Sequence, residues 1–85
     1  MDYNLSIQIE NRVQRYVLAA VVYYAHEHFT SQIITHDGRV WFYDGMAVAH
    51  QNAPALEHVG SINDLSFNLQ SCRGRSACMA IYSRI

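Results

Sequence analysis

Lysine is absent from this 85-residue chain, and its six arginines are scattered among seven acidic residues for a formal charge of −1. Such a balance offers no basic footprint for a nucleic acid or an anionic membrane, so neither is expected as a partner. Long hydrophobic runs are missing too: the longest extends only from Val17 to Ala25, far short of the ~20 residues a membrane-spanning helix needs. Met1 is followed by DYNLSIQIE, which has neither the basic start nor the apolar core of a secretory signal. Cysteine is scarce. Cys72 and Cys78 form no disulfide framework and suit a reducing compartment, so the expected location is intracellular, cytoplasmic or nuclear.

What is present is apolar and aromatic: 51% of the residues are hydrophobic and 12% carry Phe, Trp or Tyr, a globular composition and not a disordered one. A chain of this length holds one core and buries only about 60–65% of the surface its unfolded form exposes. Residues 1–85 therefore read as a single small domain without internal repeats.

Period-two alternation dominates the pattern. Leu5, Ile7 and Ile9 alternate with Ser6, Gln8 and Glu10, a strand with one wet face, and Asn11-Arg12 is the expected turn. From Val13 to Tyr24 both faces are apolar, with Tyr16, Leu18, Ala20, Val22 and Tyr24 on one and Val17, Ala19, Val21 and Tyr23 on the other. A strand of that kind belongs in the middle of a sheet, and its β-branched and tyrosine content argues against a helix. His28 to His36 sets Phe29, Ile33 and Thr35 against His28, Thr30, Gln32 and Ile34, and Arg39 to Tyr43 is an aromatic return strand. A loop from Gly45 to Pro54 follows, then a short strand at Leu56–Val59 ended by Gly60. Ser61 to Gln70 mixes periods and reads as irregular with one helical turn. Ser71–Ser76 is a polar loop around Gly74, and Ala77–Tyr82 is a closing strand. The fold class expected is mainly β, a largely antiparallel sheet of about five strands.

The hairpin after His28 carries the functional question. A two-residue loop, Asp37-Gly38, would pair His36 with Arg39 and turn His28 and Asp44 to opposite faces. A three-residue loop, His36-Asp37-Gly38 with Gly38 left-handed, pairs Thr35 with Arg39 and Asp44 with Thr30. His28 and Asp44 then become same-face diagonal neighbours, roughly 7 Å apart at the backbone. Glycine at the last loop position favours the second register. An imidazole oriented by a carboxylate is half of a cysteine-protease triad, because a thiol is little ionised at neutral pH until an adjacent base takes its proton.

Taken in order, Tyr16-x-Leu18 leading into Ala20-Val21-Val22, then His28-Phe29-Thr30, then Trp41-x-Tyr43-Asp44 and a closing Ala-x-x-x-Ile-Tyr strand resemble the C-terminal histidine box of the ubiquitin-specific proteases, from about Tyr16 to Arg84. The resemblance implies a fold like the C-terminal part of a papain-like palm, with His28 as the catalytic general base and Asp44 as the group that orients it. It further implies ubiquitin or a ubiquitinated protein as partner, and no cofactor. Glu27 stands where that family carries glycine before its histidine, and Gly45 where a second acidic residue often follows. The family's nucleophile box lies far N-terminal to its histidine box, whereas only a short strand precedes Tyr16. The resemblance thus implies a partial catalytic domain whose nucleophile lies outside these residues, inactive alone.

Two other readings stand beside this one. SUMO-type and adenovirus-type cysteine proteases run in the order His, acid, Cys, so Cys72 or Cys78 could serve as nucleophile; their Asp-Cys-Gly motif is missing from both SCRG and SACM. The other is a non-catalytic module that keeps the sheet and binds ubiquitin or another protein. His26 and His28, with His36 or His50, could ligate a metal, but no third ligand stands at convincing spacing and none is expected. Arg73 and Arg75 read as solvated loop charges, and Trp41, Phe42 and Tyr43 as core and sheet-face residues. Half a palm also leaves an exposed sheet edge, through which self-association is expected.

Overall fold

The computed structural model describes residues 2–45 and 56–85. They form one antiparallel sheet of seven strands: β1 (Asn4–Ile9), β2 (Arg12–Ala25), β3 (His28–Ile34), β4 (Arg39–Tyr43), β5 (Glu57–Ser61), β6 (Ser71–Cys72) and β7 (Arg75–Arg84). The order across the sheet is β5-β4-β3-β2-β7-β6, with β1 pairing only β2 among the described strands. No helix of the described residues is long and apolar enough to cross a membrane. The expected loop from Gly45 to Pro54, with His50, lies largely outside the described residues.

β2 sits at the centre, as its two apolar faces require. Its first half pairs β1 and its second half β3 along one edge, while β7 runs along the other. The face assignment changes along the strand, because Ala19 is an extra residue between the pairs Leu18–Tyr82 and Ala20–Ile81. This bulge turns Leu18 and Val21, three apart in sequence, to the same side, so Val21 joins Leu18, Tyr23, Ile34 and Val40 in the core. Strict alternation had put Leu18 and Val21 on opposite faces. A second bulge, at Cys78 on β7, restores the pairing with Tyr23.

The sheet curls so that this core face is concave. Segment 62–70 lies across it, contributing Ile62, Phe67 and Leu69 to the packing. The expected helical turn is replaced by two successive turns, closed by Asp64 N–H to Ser61 C=O and Phe67 N–H to Asp64 C=O. Gly60, inside β5 and not after it, makes the crossing possible, since a Cβ there would overlap the Phe67 ring. The buried Tyr23 hydroxyl ties the cover to the sheet, donating to the Leu69 carbonyl at 2.7 Å and accepting from Gln32 Nε2 at 2.7 Å. Burial pushes the Tyr23 phenol up from its ordinary pKa, against the lowering effect of the Gln32 bond.

Two turns also fall elsewhere than expected. The first hairpin turns at Glu10-Asn11, with Ile9 paired to Arg12. Ser71–Ser76 is a tight hairpin and not a loop: Cys72 pairs Arg75 around Arg73-Gly74, both left-handed, so β7 begins at Arg75 and runs to Arg84. The polar flanks hide these strands from a hydrophobicity pattern. At the tip, Arg73 stacks over the Phe42 ring at 3.8 Å and bonds Glu57 Oε2 at 3.0 Å, drawing β6 toward β4 and β5 across the concave side.

Candidate functional site

The β3–β4 hairpin adopts the three-residue loop. Ile34 pairs Val40 and Ser31 pairs Tyr43; Thr35 meets Arg39 through its N–H at 3.0 Å, and Gly38, at φ +85°, donates to Thr35 C=O at 2.9 Å. Asp37 fastens the turn: its carboxylate accepts from the Thr35 hydroxyl at 2.6 Å and from Arg39 N–H at 3.2 Å. Those two bonds, the hydroxyl's first, hold the Asp37 carboxyl below its ordinary pKa.

Continuing the register by one residue sets Asp44 against Thr30, on the concave side with His28. His28 is itself the first residue of β3, opposite Ala25, where the chain has just left a two-residue turn. The two side chains meet, with His28 Nε2 at 2.9 Å from Asp44 Oδ1, and both remain partly open to solvent. A carboxylate only accepts, so Nε2 carries the proton in the neutral ring and Nδ1 keeps its lone pair. The arrangement can hold an imidazole in one tautomer and offer Nδ1 to an incoming proton.

Two polar side chains that the sequence pattern did not single out as site residues carry buried polar atoms, Thr30 beside Asp44 in the register and Arg75 on β7. Thr30 is 4% exposed, and among the described residues neither its Oγ1 nor the buried Arg75 Nε has a hydrogen-bond partner. Thr30 was legible as the cross-strand neighbour of Asp44. Arg75 was hidden by reading SCRGRS as a loop.

The remaining candidates disperse. His26 does not share a strand face with His28 but sits in the turn at φ 54°. His36 lies in the loop beyond β3, and His58 packs tilted against Trp41 with ring centroids 5.1 Å apart. Among the described residues no three His, Cys, Asp or Glu side chains converge on a metal position. Cys78 is exposed at the β7 bulge, and Cys72 packs against the core. Burial pushes the Cys72 thiol up despite the lowering influence of Arg73 and Arg75, the wrong direction for a nucleophile. Phe42 is buried, while Tyr43 faces solvent on the convex side. Compared with protein-family models, curated proteins and solved structures, the chain matches none of them.

Proposed function

We propose that this chain carries the general base and its orienting carboxylate for thiol-peptidase chemistry of the ubiquitin-specific type, His28 as base and Asp44 as orienting group. The observation that supports the reading is the 2.9 Å contact between His28 Nε2 and Asp44 Oδ1. In the mechanism it implies, Nδ1 of His28 takes the proton of a cysteine thiol and later gives it to the leaving amine. Asp44 holds the ring in the required tautomer and stabilises the imidazolium formed in between. The thiol comes from outside residues 1–85, a reading favoured by the upward shift of Cys72.

An exogenous thiol can stand in for the missing nucleophile. The experiment is 2-mercaptoethanol thiolysis of a ubiquitin C-terminal aryl amide with and without the chain. The expected result is an acceleration lost in His28→Ala and weakened in Asp44→Ala, with general-base assistance worth on the order of a hundredfold or more. No acceleration over the His28→Ala variant would sink the proposal.

A second reading is favoured by the convex side of the sheet. Tyr24, Phe29, Tyr43, Met79 and Ile81 are exposed there, and the Tyr24 and Phe29 rings pack at 4.4 Å. An uncharged aromatic patch of that kind suits a protein-binding module. Under it, ubiquitin binding survives His28→Ala and is lost in Phe29→Glu. Under the peptidase reading, catalysis responds the other way round.

A further inference from the structure

We infer that β1 is a self-association edge, pairing antiparallel with β1 of a second copy about a two-fold axis through Ile7. Edge strands in soluble proteins are usually blunted by charge, proline or a bulge. β1 has none of these: NLSIQI is uncharged, and its register against β2 runs unbroken from Asn4–Val17 to Ile9–Arg12.

The polarity of the edge follows from the hairpin. Ile9–Arg12 closes a two-residue turn, so odd residues of β1 exchange hydrogen bonds with β2, as Tyr3 C=O does with Leu18 N–H. The N–H and C=O groups of Asn4, Ser6 and Gln8 therefore point away from β2, toward the open side. The side chains of Leu5, Ile7 and Ile9 continue the concave core face beyond the body of the sheet. Along it exposure rises, from partly buried at Leu5 to 40% at Ile7 and 61% at Ile9.

The register about Ile7 sets Ile7 against its own counterpart and Leu5 against Ile9 of the second copy, three apolar cross-strand pairs on one face. On the opposite face Ser6 meets Gln8 of the second copy, and since β1 is uncharged no like charges are opposed along the paired strands. Beyond the pairing, the arm from Ser6 to Arg15 has no third strand across most of its length among the described residues, and a two-stranded ribbon alone is marginal in water. A second copy makes it four-stranded. Six residues of edge bury less than the ~800 Å² per partner of a standard interface, which makes the dimer a weak one.

Sedimentation of the intact chain from low micromolar to near-millimolar concentration tests this. The expected result is a monomer–dimer equilibrium that Gln8→Pro weakens at least ~10-fold, since proline removes an outward N–H at a position where an edge tolerates it. Should that variant misfold, Ile7→Cys in a Cys78→Ser background gives an independent reading. It is expected to form an intermolecular disulfide under mild oxidation, whereas Phe29→Cys in the same background is not. A monomer at every concentration, or a dimer abolished by Phe29→Glu while Ile7→Cys stays uncrosslinked, would overturn the assignment.

Discussion

The turn after β3 and the turn before it both hold the chain in left-handed backbone, but only one does so with a residue suited to it. After β3 the burden falls on Gly38 at φ +85°, and the loop is tied by Asp37, Thr35 and Arg39. Its carbonyl also accepts the Ile62 N–H at 2.9 Å, anchoring the segment that covers the core. Before β3 the two turn residues are His26 at φ 54° and Glu27 at φ 58°, both with a Cβ and neither a glycine. The first turn is specified by its own chemistry. The second is imposed by the strands that it joins, and the left-handed conformation costs about 1–2 kcal/mol for each such residue. The backbone just before His28 thus has the conformation that glycine favours, and Glu27 bears it.

The largest way to break the comparison is at Gly38. A valine adds a β-branched side chain in left-handed backbone, and its Cβ would stand 2.9 Å from Asn63 Nδ2 and 3.2 Å from Ile62 Cγ1. The expected loss in Gly38→Val is about 2–3 kcal/mol, read from urea denaturation followed by Trp41 fluorescence. A loss below about 0.5 kcal/mol would mean that the loop has another way to turn, and with it that Asp44 is not fixed against His28 by this register.

The same contrast marks what could be read from the sequence. The β3–β4 register was legible because Asp-Gly after a β-branched strand is local chemistry, and the distance from His28 to Asp44 then followed by counting. The bulge at Ala19 was not. Where Leu18 to Val22 is apolar on both faces, no polar residue reports which side is in, so an extra residue leaves no mark in the pattern. β6 and the start of β7 were missed for the opposite reason: Ser71, Arg75 and Ser76 are polar in a hairpin whose register is set by the left-handed Arg73-Gly74 turn. Arg73 is a half-exposed charge, as a loop arginine is expected to be, but its partners, Phe42 and Glu57, were not legible because they are far away in sequence.

A smaller effect, of opposite sign, is expected in the strained turn. In Glu27→Gly the relief of left-handed strain outweighs the greater freedom of glycine in the unfolded chain, for a net gain of about 0.5–1 kcal/mol. The His28–Asp44 contact should survive, visible as unchanged imidazole resonances. If Glu27→Gly destabilises the fold instead, the glutamate side chain contributes an interaction that outweighs the strain.

The smallest effect concerns acid. The Asp37 carboxyl titrates lower in the folded loop than in the unfolded chain, chiefly through the Thr35 hydroxyl and then the Arg39 N–H. A depressed folded pKa means that the stabilisation is fully present above the unfolded value of ~3.9 and is lost as pH falls through the folded one. Asp37→Asn should therefore flatten the acid side of the stability curve below about pH 4 while changing little near neutrality. Since Asp37 is exposed, the effect is small and is best read as a difference in slope between the two proteins across the acid range. Equal slopes would show that the turn after β3 stands on Gly38 alone. The contrast between the two turns would then lie in backbone conformation and not in the side-chain bonds that accompany it.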